Sequence, residues 1–197
     1  MKNFRDLAFQ FINEKSLISN RRLELVSLMK AGEDNGRNCF SCVGFCCTQS
    51  HNSMQISPIE AAELYFFLVT NEMWDDELIS KLNDNISEYR LDYELSVGGR
   101  SFRRTYTCPF FMHKSLGCPI APTHKPYGCL AFNPDKKNVS SEGHCSSRVD
   151  LLENIERPHQ DISSQFEESM KTHGLEFHFS KLPIPVALLE MDKILNN

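Results

Sequence analysis

The chain has 197 residues, enough for one domain with a hydrophobic core, and 41% of them are hydrophobic and 24% charged, as in ordinary globular proteins. Its 21 basic and 26 acidic side chains give a net charge of −5, which excludes the broad basic surface of a typical nucleic-acid-binding protein. No stretch approaches the roughly 18 uninterrupted apolar residues of a membrane span, and the first residues have no signal-peptide pattern. We therefore expect a cytoplasmic protein that binds neither nucleic acid nor membrane.

Helical patterns dominate the first half of the chain. Apolar residues recur at helical spacing between about residues 3 and 30, which predicts one or two helices there. The sequence ISPIEAAEL contains the clearest helix start, because Ser57 and Glu60 can form a capping box and Pro58 suits the first helical position. A further amphipathic helix is predicted over residues 74–95, ahead of two glycines that end it.

Residues 100–147 differ in kind, since they hold five prolines and four cysteines without a sustained helical period. A stretch this long without regular structure needs something besides a hydrophobic core to order it, and a bound metal is suitable. Helical patterns return near residues 148–173 and 186–195. We predict a mainly α protein with little β-structure, whose helices pack around an irregular cysteine-rich domain. Its parts are an N-terminal helical segment (1–37), a cysteine-cluster metal-binding domain (38–147) and a C-terminal helical segment (148–197), together forming one compact unit.

The eight cysteines fall into two groups: Cys39, Cys42, Cys46 and Cys47, then Cys108, Cys118, Cys129 and Cys145. The first two have C-x-x-C spacing, which lets two thiolates reach one tetrahedral ion. In a reducing compartment such clusters hold metal or do redox chemistry more often than they form disulfides. All eight are therefore predicted metal ligands. Adjacent side chains usually point apart, so one cysteine of the Cys46–Cys47 pair can instead serve a second metal, bridge two metals or be a small buried hydrophobe.

The ordered motifs resemble a known family. The sequences CFSCVGFCC from Cys39, CPFF from Cys108, CPI from Cys118 and KPYGCLAF from Lys125 are similar to the zinc- or iron-chelating domain of the YkgJ-like cysteine-cluster proteins. The resemblance covers residues 39 to about 145 and implies metal chelation without a settled reaction. Lys125 departs from the family pattern, in which arginine commonly stands there, and lysine keeps the charge but loses the planar guanidinium fork.

The resemblance also carries an enzymatic alternative. Flagellin lysine N-methylase has a similar cysteine cluster and is described as an iron–sulfur protein that uses S-adenosylmethionine. This implies a second hypothesis, an iron–sulfur-dependent enzyme such as a protein lysine N-methylase with a protein substrate. The sequence itself contains no G-x-G-x-x-G nucleotide loop, so it identifies neither a catalytic residue nor an S-adenosylmethionine site.

Thiolates suit both zinc and iron–sulfur clusters. The crowded cysteine pair and the neighbouring phenylalanines favour a shielded 4Fe–4S cluster over zinc. Histidines flanking the cysteines can replace a thiolate, although hydrogen-bonded or surface histidine is the more usual role: His51, His113, His124 and His144. A redox-active C-x-x-C pair is a further alternative, but it normally follows a strand and opens a helix, and no strand pattern precedes this one.

Overall fold

The computed structural model of the chain describes residues 3–14, 23, 26–27, 30, 45–93, 95–97, 100–112, 117–134, 145–147 and 149–196. Its helices are α1 (Phe4–Glu14), α2 (Pro58–Thr70), α3 (Asp76–Tyr89), α4 (Tyr127–Ala131), α5 (Val149–Thr172) and α6 (Ile184–Asn196). Short 3₁₀ turns cover Phe45–Cys47 and Pro122–His124. The prediction of a mainly α fold with little β-structure is confirmed.

The strands described form three short antiparallel pairs: β1 (Gln55–Ile56) with β6 (Leu182–Pro183), β2 (Leu95–Val97) with β3 (Arg100–Phe102), and β4 (Phe132–Pro134) with β5 (Cys145–Ser147). In the first pair Ile56 lies opposite Leu182. That pair ties together the starts of α2 and α6, because each strand runs directly into its helix.

Helix α2 is the centre of the core. The predicted capping box is present, since Glu60 Oε2 accepts hydrogen bonds from the backbone N–H and from the hydroxyl of Ser57, each at 3.0 Å. Ten of the 13 residues of α2 are buried, so the helix is surrounded instead of lying on the surface. It packs against α6, α5 and α1, and its Leu64 and Leu68 contact the apolar residues of those helices in one core cluster.

One predicted helix boundary differs from the structure. The helix predicted over residues 74–95 ends at Tyr89, because Arg90 adopts a left-handed conformation (φ 52°, ψ 47°) that terminates it. The chain then forms the β2–β3 hairpin. At the N-terminal end, the prediction of one or two helices between about residues 3 and 30 agrees with α1 (Phe4–Glu14) and with the helical backbone at Leu23, Val26, Ser27 and Lys30.

Among the described residues, no helix is both long enough and apolar enough to cross a membrane.

Candidate metal centre

The structure locates six of the eight predicted ligands. Cys46 and Cys47 lie in the first 3₁₀ turn, Cys108 and Cys118 in irregular chain, Cys129 in α4, and Cys145 at the start of β5. Cys39 and Cys42 lie outside the described residues, and so does the side chain of Cys145. The five cysteines whose side chains are described carry thiols, and all five are half-buried.

Backbone hydrogen bonds place the first cysteine of the second group beside the first group. The N–H of Cys108 donates to the carbonyl oxygen of Cys47 at 2.7 Å. Two residues earlier, the N–H of Tyr106 donates to the carbonyl oxygen of Asn52 at 2.9 Å. Between them, the Gln49 N–H donates to the hydroxyl oxygen of Thr107 at 3.1 Å. Segments about sixty residues apart in sequence are therefore in direct contact at the cysteines.

The sulfur atoms of Cys46 and Cys47 lie 3.9 Å from each other. Neighbouring side chains usually point apart, but the tight 3₁₀ turn Phe45–Cys47 brings the Cys46 and Cys47 sulfurs close to each other. Two zinc–sulfur bonds of about 2.3 Å at a tetrahedral angle place the sulfurs about 3.8 Å apart. The spacing of this pair therefore fits two ligands of one ion.

Helix α4, which carries Cys129, is fixed against α2 by a buried carboxylate. Glu60 Oε1 accepts a hydrogen bond from the backbone N–H of Tyr127 at 3.0 Å, while its other oxygen caps α2. Gly128 next to it packs so tightly on the Met54 thioether that a Cβ at this position would overlap the sulfur atom. The position of Cys129 is thus set by α2 and by the loop that follows the first cysteines.

Tyr106 is fully buried, and its hydroxyl connects two remote segments of the chain near the thiols. Its hydroxyl donates to the carbonyl oxygen of Met54 at 2.7 Å and accepts from the N–H of Ile184 at 3.1 Å. Burial raises the pKa of this hydroxyl well above its usual value, and the nearby thiols of Cys108 and Cys129 raise it further. Tyr106 therefore joins the cysteine loop to the start of α6 as a neutral hydrogen-bonding group.

Four of the described thiols, those of Cys46, Cys108, Cys118 and Cys129, influence one another electrostatically. Burial raises the pKa of the Cys108 thiol to about 12, and the charges of Cys118 and Cys46 act in the same direction. Burial also raises the pKa of Cys129 well above the usual range, and the thiols of Cys108, Cys118 and Cys46 again add to the shift. Without a metal, Cys108 and Cys129 are therefore protonated at neutral pH.

A buried cation lies next to this group. Lys125 is only 8% exposed, and its ammonium lowers the pKa values of Cys118 and Cys129, opposing the larger effect of burial. A Lys side chain is almost never this buried without nearby negative charge or hydrogen-bond acceptors. Lys125 therefore fits a site at which several thiolates carry negative charge.

An unsatisfied donor lies in the same loop. Asn52 is 4% exposed, and its Oδ1 accepts from the N–H of Met54 at 3.1 Å. Among the described residues its Nδ2 has no acceptor in good hydrogen-bonding geometry, although the Asn52 side chain acts on the Tyr106 hydroxyl and lowers its pKa. Leaving a buried donor unpaired costs about 1–3 kcal/mol. Donors of this kind commonly bind the sulfur atoms of a metal site, so the orphaned amide is consistent with a thiolate-bound metal or cluster nearby.

These thiols do not form a complete coordination sphere by themselves. Within the part of the chain that the structure describes, no three or more Cys, His, Asp or Glu side chains are grouped closely enough to hold a metal ion. Two of the histidine alternatives, His113 and His144, lie outside the described residues. The His124 ring packs 4.6 Å from the Phe67 ring, with Nδ1 3.0 Å from the Thr123 hydroxyl.

Comparison with known proteins leaves the family unassigned. No family model matches the sequence, no curated protein matches it, and no solved structure matches the fold. The resemblance to the YkgJ-like proteins therefore stays a prediction based on the cysteine motifs.

The sequence did not identify three residues that hold the cysteines in place: Asn52, Glu60 in its contact with α4, and Tyr106. Glu60 was recognised only as part of a local capping box, because its bond to Tyr127 joins positions 67 residues apart. Asn52 and Tyr106 belong to no motif, and hydrophobic periodicity gives no signal for a buried polar link between loops.

The raised pKa values predict how the reduced, metal-free chain responds to alkali. A folded pKa of about 12 for Cys108, against about 9 for an ordinary thiol, means that the unfolded chain loses this proton first as pH rises. Stability present below pH 9 should therefore fall between pH 9 and 12. Urea unfolding at several pH values measures this, and Cys108→Ser should flatten the dependence. An equally steep fall in Cys108→Ser would contradict the assignment.

Proposed function

We propose that the chain is a cytosolic metal-binding protein that holds an iron–sulfur cluster, or alternatively zinc, through its clustered cysteine thiolates. The observation that carries this proposal is the 2.7 Å backbone hydrogen bond from Cys108 to Cys47. This bond between Cys108 of the second group and Cys47 of the first supports a centre to which both groups contribute. A reducing compartment belongs to the proposal because the ligands must stay as thiols.

The chemistry of the donors supports a soft metal. The described candidates are all sulfur ligands, which select zinc or iron–sulfur clusters over magnesium or calcium. Cys46, Cys108, Cys118 and Cys129 are the described candidates, since their charges act on one another, but they are not grouped closely enough to hold an ion by themselves. The sequence adds Cys39 and Cys42 as further ligands, with Cys47 and Cys145 completing the eight.

Metal binding would also offset the free-energy cost of burying the thiols, the Lys125 ammonium and the Asn52 amide in this region. Each ligating thiol exchanges its proton for the metal, so the raised pKa values are overcome by metal–sulfur bonding. The Lys125 ammonium would offset part of the remaining negative charge, and the buried Nδ2 of Asn52 is a candidate donor to a ligating sulfur. When bound, an iron–sulfur cluster supplies electron storage and zinc supplies a structural link.

Anaerobic purification followed by metal analysis and visible spectroscopy tests the proposal. An iron–sulfur protein should be brown and contain iron and acid-labile sulfide in equal amounts, whereas a zinc protein should be colourless and contain zinc alone. The same preparation, stripped of metal and reduced, should take up zinc, or iron supplied together with sulfide, and release protons as it does so. A folded, reduced preparation that contains no transition metal and takes none up would refute the proposal.

A further inference from the structure

Cys46 and Cys47 form a pair of adjacent thiols whose sulfur atoms are in contact. Both lie in the 3₁₀ turn Phe45–Cys47, and their sulfurs are 3.9 Å apart. Two sulfur atoms at this separation can both bind one ion, and they can also be joined to each other. The second reaction gives the pair a chemistry of its own, which needs neither a metal nor another cysteine.

The pair is within reach of a small reagent. Both thiols are half-buried, and residues 49–51, which follow them directly, are exposed. Cysteines that sense oxidants are typically solvent-accessible and have a second cysteine close by, which reacts with the first oxidation product. Cys46 and Cys47 satisfy both conditions within one turn of the chain.

We propose that Cys46 and Cys47 are a modification site, at which hydrogen peroxide converts the two thiols into a vicinal disulfide. The peroxide first transfers one oxygen atom to one sulfur, which becomes a sulfenic acid as the O–O bond breaks and one water leaves. The second thiol then attacks that sulfur, and the S–S bond forms as the sulfenic hydroxyl leaves with the thiol proton as a second water. In total the two thiols lose two electrons and two protons, and the peroxide is reduced to two waters.

The geometry of adjacent residues makes such a disulfide easy to reverse. A trans peptide holds the Cα atoms of adjacent residues about 3.8 Å apart, whereas the Cα atoms of ordinary disulfides are about 4.4–6.8 Å apart. The hydrogen bond from the Cys108 N–H to the Cys47 carbonyl oxygen restrains the backbone, so it cannot relax freely around the new ring. Strained disulfides are more easily reduced and are typically the regulatory ones.

Oxidation of this pair would switch the metal centre off. Metals bind cysteine as the thiolate, so a disulfide removes Cys46 and Cys47 from the ligands of the centre, and reduction returns them. This regulatory consequence rests on the proposed metal-binding function, whereas the disulfide itself does not.

Peptide mapping of the full-length protein tests the modification site. The protein, stripped of metal and reduced, is treated anaerobically at neutral pH with an equimolar amount of hydrogen peroxide, and the remaining thiols are then alkylated. We expect the mass before alkylation to fall by about 2 Da, the two hydrogen atoms lost. Trypsin releases residues 38–81 as one peptide with four cysteines. Its fragments should show the first two cysteines alkylated and Cys46 joined to Cys47. A disulfide between any other two cysteines, or none, would overturn the proposal.

Serine variants identify the two partners and provide the control. Cys46→Ser and Cys47→Ser should each abolish the disulfide and leave a sulfenic acid on the remaining thiol of the pair, which dimedone traps. Cys118, a half-buried cysteine of the second group, supplies the control, because Cys118→Ser should form the disulfide as fully as the unaltered chain. An undiminished disulfide in Cys47→Ser, or a lost one in Cys118→Ser, would contradict the assignment.

Zinc content separates the modification site from the metal centre, because zinc has no redox chemistry of its own. Zinc-loaded protein should release zinc as the disulfide forms and take it up again once glutathione has reduced the bond. Retention of all zinc by the oxidised protein would refute the switch. If the disulfide forms in a protein that binds no metal, the proposed function fails and the modification site stands. If metal is bound and no disulfide forms, the metal centre stands and the modification site fails.

Discussion

Replacing Cys108 by serine should lower the affinity of the protein for its metal by at least about 100-fold, since loss of even an outer hydrogen-bonding partner costs 10- to 100-fold. The hydroxyl of serine is a harder and far less acidic ligand than a thiol, so it does not replace the thiolate on zinc or iron. Metal content after anaerobic purification, read with the visible spectrum, measures the loss. The substitution is nearly isosteric, so the fold is expected to persist.

Ile120→Val is the matched control for this substitution. Ile120 is buried in the same irregular segment, and removing one methylene there costs about 0.5–1.5 kcal/mol without changing a ligand. The control should keep its full metal content. If Ile120→Val loses as much metal as Cys108→Ser, the loss reflects destabilised packing, and Cys108 is not a ligand.

Comparison with Cys46→Ser determines how many metals the two groups share. If Cys46 and Cys108 bind one centre, as their electrostatic interaction suggests, each single substitution should remove the same metal and the same spectral feature. If each group binds its own ion, each variant should retain about half of the metal. Full metal retention in both variants would contradict the proposed centre altogether.

The sequence predicted the local features of the fold well because they depend on neighbouring residues. The capping box at Ser57 and Glu60 and the helix of residues 149–172 follow from patterns a few positions long. The end of α3 at Tyr89 was missed, because Arg90 terminates the helix in a left-handed conformation that only a few non-glycine residues adopt. The pairing of Val97 with Arg100 in β2 and β3 was also not predicted, because the two glycines ahead of β3 were interpreted only as the end of the helix.

Features of the candidate site depend on distant contacts, and the sequence could not predict these. Spacing alone selected the cysteines as predicted ligands, but it gave no indication that the Cys46 and Cys47 sulfurs lie 3.9 Å apart. The buried ammonium of Lys125 likewise depends on how the segment before α4 packs. A chemical motif specifies which atoms are available, whereas their distances follow from hydrogen bonds between remote segments.

Glu60 both caps the start of α2 and binds the backbone of α4, so Glu60→Ala should be strongly destabilising. Its two oxygens accept hydrogen bonds from the Ser57 N–H, the Ser57 hydroxyl and the Tyr127 N–H, each at 3.0 Å. Alanine leaves buried donors without partners, at about 1–3 kcal/mol for each. We expect a loss of about 3–5 kcal/mol in the free energy of unfolding, a large share of a typical stability of about 5–15 kcal/mol. Urea denaturation measures it.

Ser57→Ala separates the two roles of this carboxylate. It removes only the hydroxyl contribution at the start of α2 and should cost about 1 kcal/mol, whereas Glu60→Ala also releases α4 from α2. Glu88→Ala, at an exposed position of α3, should change stability by less than about 0.5 kcal/mol. Because α4 carries Cys129, Glu60→Ala should also bind metal more weakly than Ser57→Ala does. Equal losses of stability in Glu60→Ala and Ser57→Ala would show that the bond to Tyr127 contributes nothing to the placement of Cys129.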